Sequence, residues 1–339
     1  MKAVVMRAQG APSVLRMEEV PVPDIKPHEV LLKVGACGVS YHDVVERNGA
    51  YQRGVHFPMV LGNEIAGSVE QLGAQVGTLA IGDRVCCKPF HVCGVCRRCR
   101  NGMETACKQR RGVRGGYAEY VAIPAETLVK IPDSMPFSVA CMLGASAGVA
   151  LNAVRDVAKV RIDENVLVTG ASGGLGLPTI EIARAMGATV IAVTRSDSKR
   201  ASLAEIGAHH VIVAPDGADF SNDVKALTGG DGVEVVIDNV GSRVFTPAFR
   251  SLAVGGRYAF VGQLFREDIS INPARIFFKR AHLLGVGSVR RDQLEDTVRL
   301  VGAGKIRPRV AKVFALGDAA DAHAMVEAGE VVGRVVLQP

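Results

Sequence analysis

The feature that most constrains the fold of this 339-residue chain is a series of six short apolar segments that alternate with helical ones. The segments are NVLVTG, TVIAVTR, HVIVAP, VEVVIDN, RYAFVG and HLLGVGS, all between residues 165 and 288. Near-continuous apolar runs of this length are typical of parallel strands that are buried on both faces. The alternation predicts an α/β fold, a doubly wound sheet of six strands joined by right-handed crossovers.

A glycine-rich turn joins the first of these strands to its helix. The sequence GASGGLG fills residues 170–176, directly after the strand Asn165–Thr169. Such a turn lets the backbone approach a pyrophosphate, which the N–H groups and dipole of the helix N-terminus then bind. A tight glycine turn without a ligand is the alternative, but the strand, the helix and the alternation together predict a dinucleotide site. The predicted binding residues are Gly170, Ser172, Gly173, Gly174, Leu175 and Gly176.

The end of the second strand indicates which dinucleotide binds. A carboxylate there would bind the ribose hydroxyls of NADH and repel a 2′-phosphate. This chain has Thr194, Arg195 and Ser196 instead, with Lys199 one turn further on and Asp197 lying further out. Hydroxyl groups and an arginine fork suit a phosphate, so we expect NADPH rather than NADH. Thr194, Arg195 and Lys199 are the predicted contacts, and an ordinary solvated loop is the alternative.

The segments on either side of the α/β region have a different character. The first third has short apolar runs broken by Gly and Pro, such as EVLLKVGACGV and EIAGSVEQLG, and one helix, HDVVERNG. A long helical stretch near PFSVACMLGASAGVALNA leads into the α/β region. The tail after residue 290 has more elements than one further βα unit needs, so we expect it to return to the first domain. The predicted domains are 1–146 with 289–339, mostly β, and 147–288, which binds the dinucleotide.

Four cysteines lie close together, with the spacing C-x2-C-x2-C-x7-C. Four thiolates make a closed tetrahedral zinc site that leaves no position for a substrate. With Zn²⁺ the cluster carries a net charge of about −2, which nearby cations offset. We therefore predict one structural Zn²⁺ per chain. Its ligands are Cys93, Cys96, Cys99 and Cys107, and the cations are Arg97, Arg98, Arg100, Lys108, Arg110, Arg111 and Arg114.

Composition and charge argue against several other classes of protein. The net charge of +6 is mild for this length and the aromatic share is only 5%, so we expect no nucleic-acid partner. No apolar run approaches the roughly 20 residues that span a membrane, and the N-terminus lacks the features of a signal peptide. Eight cysteines without an export signal favour the reducing cytoplasm, and metal binding over disulfides.

Together these motifs resemble the zinc-type medium-chain dehydrogenase/reductases, the superfamily of alcohol dehydrogenases and quinone oxidoreductases. The resemblance covers the whole chain: a GroES-like β-domain, the four-cysteine lobe, a Rossmann domain and the ending GRVVLQP. It implies an NAD(P)H-dependent oxidoreductase and a homodimer that pairs through the edge strand HLLGVGS. It also implies four further cofactor-binding residues, which are Asn239, Val240, Gly262 and Arg334.

Alcohol dehydrogenases of this family carry a second, catalytic zinc, and the sequence departs from each of its ligand motifs. Ser40 in CGVSYHD and Ser146 in GASAGVALNA stand where the family has cysteines. Asn63 in LGNEIAG stands where the family has a histidine. A neutral hydroxyl and an amide are poor ligands for zinc. The sequence therefore predicts no catalytic zinc at the family's position.

This departure constrains the reaction. Reduction of a simple ketone concentrates charge on an alkoxide, which a zinc Lewis acid stabilises. Reduction of a carbon–carbon double bond conjugated to a carbonyl spreads the charge into an enolate, for which hydrogen-bond donors suffice. We expect an NADPH-dependent reductase of an enone, enal, quinone or enoyl thioester. The catalytic candidates are Tyr51 and His42 as proton donors, Tyr51 also as a ligand of the carbonyl oxygen, and Ser40 and Asn63 as donors to a substrate oxygen.

Two other functions stay open at this point. An alcohol dehydrogenase could use a shifted metal bound by His42, Asp43 and Glu64. A non-catalytic NADPH-binding protein would bind the cofactor tightly and turn over no enone. The candidates also have structural interpretations: Tyr51 as a ring packed over the cofactor, and His42 as a core histidine with satisfied hydrogen bonds.

Overall fold

The computed structural model describes residues 1–265 and 267–339, which divide into two compact units. The units are Met1–Gly148 with Ser288–Ala303 and Pro308–Pro339, and Val149–Gly287 with Gly304–Arg307. The main bounds lie within two residues of the predicted ones, but Gly304–Arg307 was expected in the first domain. Arg307 groups with the second unit because its backbone N–H donates to the Glu181 carboxylate at 3.1 Å.

Strands predominate in the first 130 residues, and strands and α-helices alternate from residue 165 onward. The strands are β1 (Lys2–Met6), β2 (Leu15–Glu19), β3 (Glu29–Val39), β4 (Met59–Val60), β5 (Glu64–Leu72), β6 (Arg84–Cys87), β7 (Phe90–His91), β8 (Arg111–Gly112), β9 (Tyr120–Pro124), β10 (Leu128–Lys130), β11 (Asn165–Thr169), β12 (Thr189–Thr194), β13 (His210–Val213), β14 (Val233–Asp238), β15 (Leu252–Phe260), β16 (His282–Gly285), β17 (Val310–Ala315) and β18 (Arg334–Gln338). The helices are α1 (Tyr41–Asn48), α2 (Arg97–Arg100), α3 (Phe137–Ala140), α4 (Val149–Leu151), α5 (Gly176–Ala185), α6 (Arg200–Ile206), α7 (Ser221–Leu227), α8 (Ser242–Arg250), α9 (Pro273–Lys279), α10 (Arg291–Gly302) and α11 (Ala319–Ala328).

The first unit is built on a seven-stranded sheet in the order β10-β6-β5-β3-β18-β17, with β9 also paired to β3. Most of its pairs are antiparallel, and β17 with β18 is parallel. Val335 to Leu337 of the tail pair with Val39 to Cys37 of β3, so the tail does return to this unit. The long strand β3 leads directly into α1, which therefore starts at a defined position on the sheet.

The second unit is a six-stranded parallel sheet in the order β13-β12-β11-β14-β15-β16. This order confirms the predicted doubly wound Rossmann fold. The central strands are rich in valine and isoleucine, whose branched side chains pack well on a pleated surface. Val166, Val168, Val190, Val235 and Val236 are all completely buried.

The long helical stretch Phe137–Val157 corrects one sequence-based statement. By its length and its mean hydropathy of 1.7 this helix could cross a membrane. No apolar run of membrane-spanning length was expected from the sequence. Most of it, 78%, is buried inside the protein, as in the core helix of a globular fold. Two π-helical turns, Leu143–Gly148 and Asn152–Val157, interrupt its regular geometry.

Strand β16 forms one edge of the parallel sheet, next to β15. The residues around it include exposed apolar side chains: Leu283 is 39% exposed, and Phe277 and Phe278 of α9 are 62% and 75% exposed. Unpaired apolar edges promote association between chains. Homodimer formation through this strand stays a prediction.

Candidate functional site

The carboxyl edge of the parallel sheet carries most of the predicted cofactor residues. The chain forms β11 first, adds β12 and β13 on one side, and then crosses to add β14, β15 and β16 on the other. Ligands of doubly wound sheets bind where the strand order reverses, which here is between β11 and β14. The turns at this edge contain residues 170–176 after β11, Thr194 and Arg195 at β12, Asn239 and Val240 after β14, and Gly262 after β15.

The glycine turn after β11 lies close to the neighbouring strand ends. Gly170 has a φ of +57°, and a Cβ there would lie 3.1 Å from Val240 Cγ2 and 3.3 Å from Asn239 Cβ. A Cβ on Gly176 would collide with the Gly170 carbonyl oxygen, and one on Gly262 would lie 2.7 Å from the Asn239 oxygen. Only glycine fits this packing, which brings backbone N–H groups to the start of α5 as pyrophosphate binding requires.

The end of β12 brings two cations to the same edge in different ways. Lys199 is buried, and its Nζ donates to the Ser172 hydroxyl of the glycine turn at 3.3 Å. Arg195 is 58% exposed and forms a solvent-exposed ion pair with Asp216 at 3.3 Å. Such exposed pairs are weak and easily exchanged for a stronger anion. Thr194, directly before Arg195, is buried and ends the strand.

Sequence reasoning missed Asp238, which organises the end of β14. Its carboxylate accepts hydrogen bonds from Thr169 Oγ1 at 2.6 Å, Tyr258 Oη at 2.8 Å and the Gly241 N–H at 3.1 Å. Asn239 beside it donates its side-chain N–H to the Thr169 carbonyl at 2.9 Å. Burial raises the pKa of the Asp238 carboxyl, and these hydrogen bonds oppose the rise. A carboxylate at the end of an otherwise apolar strand was the available signal.

In the first unit, Ser40 has a capping role. Its hydroxyl donates to Asp43 Oδ2 at 2.6 Å, and the Asp43 N–H donates back to Ser40 Oγ at 3.3 Å. The other Asp43 oxygen accepts the Gly62 N–H at 3.1 Å. The capping box that starts α1 consists of the Ser40 oxygen, which accepts the Asp43 N–H, and Asp43 Oδ2, which accepts the Ser40 N–H at 2.8 Å, and the Ser40 hydroxyl proton is given to Asp43 as well. The expected donation from Ser40 to a substrate oxygen is therefore replaced by a structural role.

In the described part of the chain, His42, Asp43 and Glu64 are not brought together as a group that could hold a metal. His42 Nε2 lies 3.4 Å from Glu46 Oε1, Asp43 is committed to the capping box, and Glu64 Oε1 lies 3.0 Å from Arg334 Nη2. Within residues 1–265 and 267–339, one group of three or more His, Cys, Asp or Glu side chains is placed to hold a metal, and it is the group of four cysteines. Ser146 is buried in the π-helical turn and adds no charged ligand.

Arg334, predicted as a cofactor residue, is buried beside Glu64. Its Nη1 donates to the Val39 carbonyl at 3.5 Å, and its charge compensates the buried Glu64 carboxylate. Burial raises the pKa of Glu64 to about 7, and the charge of Arg334 opposes that rise. The contact between Arg334 and Glu64 is an ion pair. Neither Glu64 oxygen has a partner in hydrogen-bond geometry among the described residues. Asn63 Oδ1 is also buried, and it has no hydrogen-bond partner among residues 1–265 and 267–339.

Tyr51 and His42 lie together at one side of α1. Their ring centroids are 4.9 Å apart, with the rings edge to face at 66°. The Tyr51 N–H donates to the Val45 carbonyl at 2.9 Å, and Gln9 Nε2 donates to the Tyr51 carbonyl at 3.3 Å. These bonds attach the Tyr51 backbone to the C-terminal end of the helix. The two proton donors that the sequence predicts are therefore neighbours in the fold.

The four predicted zinc ligands converge. Their sulfur atoms lie within 4.8 Å of one another. Individual Sγ–Sγ distances are 3.5 Å for Cys96–Cys99, 3.6 Å for Cys93–Cys107 and 4.0 Å for Cys93–Cys99. A tetrahedron with Zn–S bonds of about 2.3 Å has edges of about 3.8 Å. The distances bracket that edge and are too long for disulfides, so the cluster fits a structural zinc.

Some of the cations near the cluster have roles other than charge compensation. Arg98, Arg100 and Arg110 donate to the carbonyls of Ala106, Val95 and Thr105, so they stabilise the loop through its backbone. Arg114 was expected to offset the cluster charge as well. It instead pairs with Glu46 of α1.

Comparisons with known proteins match both units. The family model described as the alcohol dehydrogenase GroES-like domain matches residues 26–133. The model described as zinc-binding dehydrogenase matches residues 174–303. The first match contains the four cysteines and most of the seven-stranded sheet, and the second contains much of the parallel sheet.

Full-length relatives have several different activities. The chain is 33% identical to an acryloyl-coenzyme A reductase of Sulfurisphaera tokodaii, with 100% of each chain covered. It is also 33% identical to an NAD-dependent alcohol dehydrogenase of the same organism, again over 100% of each chain. Among solved structures, that of AibC matches with a TM-score of 0.93 and 40% identity, over 100% of this chain and 96% of that one.

Proposed function

Because this chain belongs to the medium-chain dehydrogenase/reductase family and is therefore an oxidoreductase, we propose that it reduces a carbon–carbon double bond conjugated to a carbonyl. The substrate class that we favour is an enoyl thioester. The observation that carries the proposal is the set of side chains at the family's catalytic zinc position. Ser40 is a helix cap, Asn63 is an amide, and Glu64 is paired with Arg334, so no set of zinc ligands exists there.

The reaction follows from what these side chains can stabilise. A bound nicotinamide cofactor would supply hydride to the β-carbon of the substrate. The charge that then forms is shared between the α-carbon and the carbonyl oxygen, so it needs a hydrogen-bond donor and a proton rather than a metal. Tyr51 offers a phenolic O–H and His42 a ring N–H, on neighbouring side chains. The full-length similarity to an acryloyl-coenzyme A reductase supports the thioester class.

A substrate panel tests this function. We expect acryloyl-CoA or crotonyl-CoA to be reduced with loss of NADPH absorbance, and ethanol and simple ketones to react at least about 100-fold more slowly, because no Lewis acid polarises their oxygen. Elemental analysis of the same preparation should give one zinc per chain. Two zincs per chain with rapid oxidation of ethanol would contradict the proposal, and so would tight cofactor binding without turnover of any conjugated substrate.

We also propose NADPH as the preferred cofactor. Strand β12 ends in the buried Thr194 without a carboxylate directed at a ribose, and Arg195 and Lys199 follow it. The exposed ion pair of Arg195 with Asp216 leaves the guanidinium accessible to a 2′-phosphate. A relative named as NAD-dependent is as similar to this chain as the acryloyl-coenzyme A reductase, at 33% identity each, so family membership leaves the cofactor open and the proposal rests on these side chains.

Replacing Arg195 with alanine tests the phosphate contact. The Kd for NADPH should rise about 10-fold, because a charge-assisted hydrogen bond to the phosphate is lost, while the Kd for NADH should not change. Fluorescence titration measures both constants. Arg200→Ala is a matched control, since it removes the same charge nearby but its guanidinium bonds Asp197 and the Val211 carbonyl. Equal weakening by both variants, or wild-type affinity for NADH equal to that for NADPH, would contradict the assignment.

A further inference from the structure

A buried carboxylate connects an exposed histidine to an arginine on the first unit. Glu46 lies one turn after His42 on α1 and is only 2% exposed, whereas the His42 side chain is 42% exposed. Glu46 Oε1 lies 3.4 Å from His42 Nε2, and the same oxygen forms a close ion pair with Arg114 Nη2. Arg114 Nε lies 3.5 Å from the second oxygen. The three side chains form the row His42–Glu46–Arg114.

The contacts of this row require a charged carboxylate. A buried glutamate would ordinarily become neutral, but Arg114 is a permanent cation at its side. The hydrogen bonds from His42 and Arg114 lower the pKa of Glu46 and outweigh its burial, which acts in the opposite direction. Glu46 therefore stays ionised and presents a fixed negative charge to one ring nitrogen of His42. Its backbone is fixed as well, since Gln9 Nε2 donates to the Glu46 carbonyl at 3.0 Å.

The groups that face His42 come from three parts of the fold. Asp43 and Glu46 are on its own helix, Arg114 is on the segment that follows the cysteine lobe, and the Tyr51 ring packs against it from the end of the helix. Burial lowers the pKa of His42, and the charge of Arg114 acts in the same direction. The hydrogen bond to Glu46 and the charges of Glu46 and Asp43 raise the pKa by more, so the net direction is upward. The imidazolium form consequently persists to higher pH than that of an isolated histidine.

We propose that His42 gives the proton that completes the reduction, with Glu46 as the residue that positions and charges it and Arg114 as the residue that keeps Glu46 ionised. The arrangement is that of a general acid: one ring nitrogen is held by a buried carboxylate, and the other is left for a reacting group. Tyr51, beside the ring, is then free to donate its O–H to the carbonyl oxygen. The inference rests on the proposed reduction of a conjugated double bond.

The step balances in atoms and electrons. The hydride, with its two electrons, would come from the C4–H bond of the NADPH nicotinamide, which breaks as NADPH is oxidised to NADP⁺. It forms the C–H bond at the β-carbon, and the π electrons of the double bond move toward the carbonyl as an enolate. The imidazolium N–H of His42 breaks, its proton forms the C–H bond at the α-carbon, and the carbonyl is restored. His42 is left neutral and regains a proton from solvent. The negative charge of Glu46 favours the imidazolium form of His42 before the transfer, and the Glu46 carboxylate stays ionised throughout.

Two measurements on Glu46→Gln test the role of the carboxylate. NMR titration of the His42 ring, without cofactor or substrate, should show its pKa falling relative to wild type, because the opposing charge is removed. With acryloyl-CoA and NADPH, kcat should fall about 10-fold at pH 8 and recover toward low pH, while both KM values change less than about 2-fold. Glu46→Asp should restore part of the wild-type pH profile. Glu327→Gln is a control, because Glu327 forms its ion pair with the neighbouring Arg47.

The possible results separate the two proposals. A lowered His42 pKa together with a shifted pH profile supports the inference, and so does a large loss of kcat in His42→Gln with unchanged NADPH affinity. An unchanged pH profile in Glu46→Gln, or full activity in His42→Gln, overturns the role of His42 and leaves the reductase function standing. If wild type reduces no conjugated substrate, the proposed function and this inference both fail. Should Glu46→Gln not fold, the pH profile of Glu46→Asp and the kcat of His42→Gln keep the proposal open to the same contradiction.

Discussion

Replacing Cys96 with serine is expected to lower the zinc content from one per chain to nearly zero and the melting temperature by roughly 10 °C, since loss of a structural metal is among the largest single effects on stability. A serine hydroxyl is a poor zinc ligand, and three thiolates without the fourth leave the tetrahedron open. Zinc analysis and thermal melting measure the two effects. The fraction that survives should keep most of its turnover per folded chain.

The size of this effect has a specific cause in the fold. Lys88 is 2% exposed, and its Nζ lies 3.2 Å from Glu104 Oε2 and 3.0 Å from Glu126 Oε2. Glu104 belongs to the cysteine lobe, and its other oxygen accepts the Arg291 N–H of α10 at 2.6 Å. If the lobe unfolds, Lys88 loses one of its two carboxylates while it is still buried. Lys88 then keeps Glu126 alone, so part of the electrostatic stabilisation of this buried cation is lost with the lobe.

Cys86→Ala is the matched control for this prediction. Cys86 is a buried thiol of β6 outside the lobe, and burial raises its pKa, so it remains protonated and is not a zinc ligand. This variant should keep one zinc per chain. Loss of turnover in Cys96→Ser with unchanged melting and unchanged zinc would show that the lobe has a catalytic role instead.

The parts of the fold that depend on local patterns were predictable. The apolar runs of β11 to β16, each followed by a helix, determine a parallel sheet, and the glycine turn is confined to residues that are contiguous in sequence. The cysteine spacing is also local. For the glycine turn and the cysteine cluster the residues that meet are close in sequence, and for the sheet each strand and each crossover helix has its own local pattern, so pattern and structure agree.

The parts that depend on distant pairs were not predictable. Glu46 and Arg114 are 68 positions apart, and Glu64 and Arg334 are even further apart in sequence. Nothing near Arg334 in the sequence indicates that a buried carboxylate is its ion-pair partner, and its contact with the cofactor stays a prediction. Ser40 is different, because the pair Ser40 and Asp43 has the spacing of a capping box and could have been recognised.

Replacing Tyr51 with phenylalanine is expected to lower kcat for acryloyl-CoA about 100-fold, the usual consequence of losing one donor to a developing oxyanion. NADPH affinity should change little, because the ring and its edge-to-face contact with His42 remain. Reductively deuterated NADPH should still place its label on the β-carbon, and solvent should still supply the α-proton. Steady-state kinetics, cofactor titration and mass spectrometry of the product measure these three outcomes.

Tyr120→Phe serves as the control, because Tyr120 lies on β9 opposite Lys33 of β3 and has no ring contact with His42. The comparison with His42→Gln then distinguishes the role of Tyr51 as the carbonyl donor from that of His42 as the proton source. Loss of the carbonyl donor should raise the barrier at every pH, since it weakens the enolate itself. Loss of the proton source should act most strongly where solvent protons are scarce, so its effect should grow with pH. Turnover of Tyr51→Phe equal to that of Tyr120→Phe would remove Tyr51 from the reaction and leave its ring as packing for His42.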